Sequence, residues 1–289
     1  MILNGATGNR IGGVSSTEKN IIVSSQASGI YISGSGGNIV GANNIGRNFD
    51  FSSSLPNATN GIEIINSPNT AIGNSLALNY VESGSQIAIL INDSPQASII
   101  NTKVGGAPFS SGIRFRNDCS QSKVGDGTED GRNYIVTNGS GVFVEATSGN
   151  IEINSNWFNQ DENGLPAGLL SRLHHIHLAG SGNTILNNRI AQDQEHGIFI
   201  ESGSQNNLMS QNSIWGNGLN GIEIGDAAQG NISPPSIISI TTSGFQGTSD
   251  PSATIELFAD RDDEGQLYVA TTTADATGNW LIPYDHTPV

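Results

Sequence analysis

The sequence predicts an all-β chain: a parallel β-helix, a solenoid of short stacked strands, over residues 1–230, then a small, incomplete β-sandwich over 231–289. Three observations carry this prediction. A short apolar phrase recurs along the first 230 residues, a second phrase bounded by asparagines follows most copies of it, and both stop at a pair of prolines.

The first phrase is a small residue, an apolar one, an outward one and an apolar one. It reads Gly29-Ile30-Tyr31-Ile32, Gly61-Ile62-Glu63-Ile64, Gly112-Ile113-Arg114-Phe115, Gly141-Val142-Phe143-Val144, Gly197-Ile198-Phe199-Ile200 and Gly221-Ile222-Glu223-Ile224. Ala88-Ile89-Leu90-Ile91 and His175-Ile176-His177-Leu178 are degenerate copies that fill the gaps, making eight in all at intervals of 22 to 34 residues. Repeats of that length mark a solenoid or a propeller. The second phrase decides between them. It reads Asn183-Thr184-Ile185-Leu186-Asn187-Asn188 in one coil and Asn207-Leu208-Met209-Ser210-Gln211-Asn212 in the next, with the same form from Asn38 and from Asn69. Several short strands per coil, divided by Asn, Gly and Ser corners, suit a β-helix better than the longer hairpins of a propeller blade. Stacked at about 4.8 Å, the eight coils give a rod section of roughly 34 Å. A recurrent corner asparagine can take the left-handed conformation and ladder its amide onto the copies above and below. Asn43, Asn74, Asn188 and Asn212 are assigned that role.

Long intervals mark loops that leave the rod: Arg47 to Asn60, Gly125 to Asn138, and Asn159 to Leu173. After Asn231-Ile232-Ser233-Pro234-Pro235 the pattern changes, because two prolines cannot continue a strand ladder. Alternating runs at Ser236–Thr242, Thr254–Ala259, Tyr268–Ala274 and Asn279–Ile282 read as four antiparallel strands, with Gly244–Ser252 as a connecting loop. Four strands leave the sandwich unfinished. Either the natural chain continues beyond it, or a partner adds the missing edge strand, as in a self-assembling fibre. The abrupt start, straight into repeat-like sequence, likewise predicts that the natural protein extends upstream.

Composition narrows the function classes. Only 13% of the 289 residues are charged, yet the net charge is −15. Eleven Lys and Arg in so acidic a chain argue against a nucleic-acid partner. There is no apolar run of 18 residues, so no membrane insertion is expected, and no signal peptide is evident. Cys119 is the single cysteine, so no intrachain disulfide can form.

The phrases Asn9-Arg10-Ile11-Gly12-Gly13, Gly29-Ile30-Tyr31-Ile32, Asn44-Ile45-Gly46 and Gly131-Arg132-Asn133-Tyr134-Ile135-Val136 resemble bacterial right-handed parallel β-helix repeat proteins of the pectin-lyase-like superfamily. The resemblance covers residues 1–230. It implies a right-handed helix and a secreted or cell-surface setting, in a superfamily of polysaccharide lyases, polygalacturonases, phage tailspikes and adhesins. The tail, Thr254-Ile255-Glu256-Leu257-Phe258 followed by Asp275-Ala276-Thr277-Gly278-Asn279-Trp280, resembles a bacterial immunoglobulin-like module. Against the polygalacturonase pattern only Glu195-His196-Gly197 comes near, without the aspartate pair or the Arg-x-Lys. Against the pectate-lyase pattern, Asp193 and Arg114 or Arg116 stand where no motif fixes them.

Aligning the eight copies puts Tyr31, Glu63, Leu90, Arg114, Phe143, His177, Phe199 and Glu223 in one outward column. Arg116, Glu145 and Glu201 fall two residues later in their coils. Coils four to eight thus carry a charged and aromatic patch, with Asp193, Glu195 and His196 at its rim. Two functions follow. As a structural or adhesive module, the chain binds a cell-surface glycan along this ladder, with Phe143, His175, His196, Phe199 and Glu223 as contacts. As a polysaccharide lyase or glycoside hydrolase acting on a uronate polymer, it uses Arg114, Arg116, Glu145, His177 and Glu201 for charge stabilisation and acid–base work. The plainer alternative is a row of exposed Arg–Glu pairs, each contributing roughly 0–1 kcal/mol.

Two metal readings remain. His175 and His177 face the same side of an ideal strand, roughly 7 Å apart, and could share a zinc or nickel ion. Asp260, Asp262 and Glu264 alternate before Gly265 like the first half of a calcium loop, without the distal glutamate. A solvated hairpin turn is the competing reading of that segment.

Overall fold

In the computed structural model, residues 1–83, 86–106, 111–168, 172–261 and 263–284 are described. Three parallel sheets run the length of residues 1–230, one for each side of the coil, with nine, eight and eight strands. This is the expected parallel β-helix. The first sheet holds the recurrent phrase, from Ile30–Ser33 through Ile62–Ile65, Ile87–Asn92, Ser111–Arg116, Val142–Val144, Ile176–Leu178 and Ile198–Ile200 to Ile222–Ile224. A ninth strand, Ile2–Leu3, precedes them and pairs with Ile32 and Ser33. It was invisible as a repeat because it is only two residues long.

The alternation predicted for the phrase is what the register shows. Arg114 lies beside Phe143, Phe143 beside His177, His177 beside Phe199 and Phe199 beside Glu223. Their neighbours Ile113, Phe115, Val142, Val144, Ile176, Leu178, Ile198 and Ile200 are fully buried in the bore. Each such side chain contributes roughly 1.5–3 kcal/mol on burial. The bore is completed by Val40, Ile72, Ile99, Val124, Ile153 and Ile185 from the second sheet and by Ile45, Val81, Val104, Ile135, Phe158, Ile190 and Ile214 from the third. Cys119 is buried in the same core, and burial pushes its thiol pKa up.

The corner between second and third sheets carries the asparagine ladder. The Asn133 backbone N–H and Nδ2 donate to Oδ1 of Asn156, which does the same to Asn188, which does the same to Asn212. Asn20, Asn43 and Asn79 continue it toward the other end. Two details correct the sequence reading. Asn74 is not a ladder member: its Oδ1 accepts the backbone N–H groups of Leu76 and Ala77, closing an inserted turn, and Asn79 takes its place. The left-handed conformation belongs not to the ladder asparagines but to the residue before, as at Ala42, Asn101, Ser155, Asn187 and Gln211. The turn and the ladder bond are thus divided between neighbours. In the third coil Thr102 replaces asparagine, and the buried Nδ2 of Asn79 is left without a partner.

Residues 236–283 form two antiparallel sheets, with five strands where four were expected. Ser236–Thr241, Gly244–Thr248 and Asn279–Pro283 make one, and Thr254–Ala259 with Leu267–Thr273 the other. Gly244–Thr248, expected as a loop, is the central strand of its sheet. Its glycines hid it. A Cβ on Gly247 would lie 2.0 Å from the Ser236 carbonyl and 2.2 Å from the Trp280 ring, so only glycine lets that indole cross the strand. Ile255, Ala274, Trp280 and Ile282 form the small core of this part.

The turn after Thr254–Ala259 closes the end of the rod. Ile214 N–H donates to the Gly265 carbonyl at 3.1 Å, and the Glu264 carboxylate accepts Asn217 N–H and Nδ2 at 2.9 and 2.7 Å. Glu256 accepts Gln211 N–H at 3.0 Å. Acceptors from the C-terminal part satisfy donors that the last coil would otherwise present to solvent.

Candidate functional site

The predicted patch on the first sheet exists, and it is largely paired with itself. Arg114 Nε donates to Glu145 Oε1 at 2.5 Å, and Arg116 donates to both oxygens of the same carboxylate at 3.1 and 3.2 Å. Burial pushes the Glu145 carboxyl up, but the Arg116 and Arg114 guanidiniums outweigh it and hold the carboxyl below its usual range. Glu201 bonds the His177 ring Nε2 at 2.7 Å. Burial lowers the His177 pKa, and Glu201 opposes that shift.

The aromatic rings stack along the rod axis. Arg114 lies over Phe143 at 4.8 Å, Phe143 stacks on His177 at 4.2 Å and 13°, and His177 meets Phe199 at 5.3 Å. His174 joins them, 4.6 Å from Phe199 and 5.4 Å from both His177 and His196. Burial, with the neighbouring His177 and His196, pushes its pKa down to about 4. The His196 ring accepts the Asn220 N–H at 3.1 Å. Glu223, one rung beyond Phe199, accepts from Asn220 Nδ2. The ring faces are therefore taken by neighbours within the stack.

His175 does not belong to this surface. It is 1% exposed, with Nε2 2.8 Å from the Ala191 carbonyl and its ring 5.7 Å from Phe158. The strand begins at Ile176, so two-residue alternation does not extend back through the corner to His175. The ring enters the wall instead, at a position where most coils have glycine, and His174 takes the outward place expected for it. The shared metal site of His175 and His177 is thereby lost. Asp193, expected at the rim, is buried beside His175. Its Oδ1 accepts the Glu195 N–H, while Oδ2 has no hydrogen-bond partner and sits 3.7 Å from His175 Nδ1. Burial pushes Asp193 up to about 7 and His175 down to about 4. The bond to the Ala191 carbonyl requires a proton on Nε2, and burial disfavours the charged form of both groups.

The C-terminal carboxylates have other duties. Asp260 accepts backbone N–H groups from Asp263, Glu264, Gly265 and Gln266, which hold its carboxyl below the usual range, Gly265 foremost. Glu264 is turned to Asn217, and Asp262 lies outside the described residues. Among the described residues no three His, Cys, Asp or Glu side chains gather as metal ligands.

The sequence reading missed a second outward column. On the third sheet, Tyr80, Lys103, Tyr134, Trp157, Arg189 and Ser213 occupy successive rungs. Two of the expected loops border this face, one beginning at Arg47 and one at Asn159. Between them Tyr80, Glu82, Lys103, Asp161 and Pro166 line a cleft of about 320 Å³. Buried Glu82 binds Arg47 at 2.6 Å, and burial followed by the Glu82 charge pushes the Tyr80 hydroxyl up to about 12. The alignment that exposed the first column would have found this one. The signal was weaker because the third-sheet phrase begins with asparagine rather than with a distinctive glycine.

The match to a family model agrees with the fold. A family model described as right handed beta helix region matches residues 170–234. A search of curated proteins finds no match. Among solved structures, the Geobacillus virus E2 ORF18 chain is similar at 12% identity over 93% of this chain and 74% of that one, with a TM-score of 0.27.

Proposed function

We propose that the chain is a non-catalytic structural and adhesive β-helix module of a secreted or cell-surface protein, of the pectin-lyase-like kind, with an immunoglobulin-like module following it. Its first-sheet ladder meets a glycan. One observation carries the choice of adhesion over catalysis: each acid or base nominated for chemistry is engaged by a neighbour. Glu145 is held by two guanidiniums and Glu201 by His177. A lyase or hydrolase needs an acid and a base free to exchange protons with substrate. The ladder instead offers ring edges, guanidinium edges and carboxylate oxygens on a flat strip, suited to many weak contacts with sugar hydroxyls. The test incubates the purified chain with neutral and uronate polymers, following both retention and chain cleavage. Retention without cleavage, weakened by Phe199→Ala, is expected. Cleavage that disappears in Glu145→Gln or His177→Gln would replace this reading with the enzymatic one.

The edge strand Ser236–Thr241 supports a second reading, association of two copies by strand addition. Ile237, Ile238 and Ile240 along it are 55%, 68% and 64% exposed. Sedimentation should then show a concentration-dependent dimer that Ile238→Lys abolishes; a monomer throughout the range removes this reading.

A further inference from the structure

We infer that the third-sheet face carries an oxyanion-binding site, formed by Arg132 and Arg189 on either side of Trp157, for a carboxylated or sulfated polysaccharide lying along the rod. It lies on a different side of the coil from the first-sheet ladder and does not depend on that ladder binding anything.

The geometry is a stack. The Arg132 guanidinium lies 4.2 Å from the Trp157 ring centre, and Arg189 lies 4.6 Å from the same ring and 5.4 Å from Trp215. Tyr134 meets Trp157 edge-on at 5.7 Å. Stacking occupies the flat face of a guanidinium and fixes its plane. Arg132 Nε donates to the Ser155 carbonyl at 3.3 Å, which leaves its two Nη groups, and the N–H edge of Arg189, for a bidentate bond to a carboxylate or sulfate.

Among the described residues, most cations along the middle of the rod are paired with a carboxylate; Arg10 and Lys19 at its start are not, but neither shares an aromatic ring with a second cation as Arg132 and Arg189 do. Arg47 has Glu82, Lys103 has Glu162, Arg114 and Arg116 share Glu145, and Lys123 has Glu152, all within 3.1 Å. Arg189 has no carboxylate within salt-bridge distance among the described residues. Arg132 has only Glu129, at 3.8 Å, with a side chain 89% exposed. Carboxylates are not scarce, since the chain has 26 acidic residues against 11 Lys and Arg. Two half-buried cations around one indole repel each other. Burial and the Arg132 charge together lower the Arg189 pKa. An arrangement that leaves such a pair uncompensated in a chain of net charge −15 fits a site whose counter-charge arrives with a ligand.

The loop after Trp157–Phe158 walls the site. Gly164, at φ +75°, lies against the stack: a Cβ there would sit 3.4 Å from Arg189 Nη1 and 3.5 Å from the Trp157 ring. Arg132 and Arg189 belong to coils two rungs apart, roughly 9–10 Å along the axis. A ligand that engages both must carry repeated anionic groups in an extended chain. A charged polysaccharide meets that requirement. A nucleic acid, whose charge density is far higher, would be repelled by the strongly acidic remainder of the protein.

The experiment measures binding of alginate, dextran sulfate and neutral dextran to the full chain by affinity electrophoresis and calorimetry at two salt concentrations. Binding of one or both charged polymers but not of dextran is expected, weakening as salt rises. Arg189→Gln and Arg132→Gln should each weaken it at least tenfold. Arg189→Lys, which keeps the charge without the fork, should give an intermediate loss, and Lys123→Gln on the second sheet should bind as wild type. Alginate alone identifies a carboxylate site and dextran sulfate alone a sulfate site. Circular dichroism of each variant confirms the fold. No binding, equal binding of dextran, or wild-type affinity in correctly folded Arg132→Gln and Arg189→Gln overturns the proposal. Loss in Phe199→Ala with none in the arginine variants would place binding on the first sheet and overturn this site alone.

Discussion

The first and third faces of the rod are built by the same rule and end in opposite electrostatic states. On each, parallel register stacks side chains in a column at strand spacing, and arginine lies over an aromatic ring. On the first face the neighbouring rung supplies Glu145, and the charges close on each other. On the third, the rung next to Arg189 supplies Trp157, and the charge stays open. A solenoid fixes which positions point outward but not what stands there. Function therefore has to be read from the relation between rungs, not from the residue list of one strand.

The largest expected effect comes from removing what both faces share. Asn188 accepts from Asn156 N–H and Nδ2 and donates to the Ile153 carbonyl and Asn212. Asn188→Ala strands several buried polar groups, each at roughly 1–3 kcal/mol, for a loss of about 3–5 kcal/mol in urea unfolding. Both faces should weaken together. A loss confined to one would mean that the coils fold independently.

Next is the corner beneath the first face. Asp193, with its carboxyl raised to about 7, favours folding fully below the usual carboxylate range, and that contribution is lost as pH rises through about 7. His175, lowered to about 4, acts in the other direction: its contribution is complete above an ordinary histidine pKa and is lost as pH falls through about 4. Asp193→Asn keeps the Oδ1 acceptor and cannot ionise. Its gain over the wild type should be larger at pH 8 than at pH 5, by roughly 2–3 kcal/mol, and should vanish only below about pH 4. An equal change in melting temperature at both pH values would show that Asp193 is not held neutral.

Glu145→Gln then tests the comparison directly, since it makes the first face resemble the third by freeing Arg114 and Arg116. The pair is partly exposed, so stability should fall by only about 1 kcal/mol. The informative readout is a gain in dextran sulfate affinity. Unchanged affinity would mean that unpaired guanidiniums on this rod are not sufficient to hold an anion.

What was legible in the sequence follows this division. The bore and the first outward column were readable because alternation inside a strand is local, and Ile198, Phe199 and Ile200 needed nothing beyond their own spacing. His175 and Asp193 were misplaced because both lie at corners, where alternation stops and the direction of a side chain depends on the turn. Asn74 was taken for Asn79 because an inserted turn shifted the spacing. The Glu145 pairs and the Arg132–Trp157–Arg189 stack link residues 25 to 32 positions apart. Such links appear only when the coils are set in register.

The smallest effect separates the faces by pH. His177 is the outward histidine of the first column with a carboxylate partner, and Glu201 supports its protonated form against burial. Glu201→Gln keeps the shape and removes that support. The His177 pKa should fall further, visible in its ring proton shifts, while stability changes by about 0.5 kcal/mol or less because the Glu201 side chain is 43% exposed. The third stack contains no group that titrates near neutrality, since arginine stays charged. Polymer binding there should be level between pH 5.5 and pH 8, whereas binding on the first face should follow His177. A common pH profile for both faces, moved by Glu201→Gln, would mean that ligand bridges them and that the two columns act as one surface.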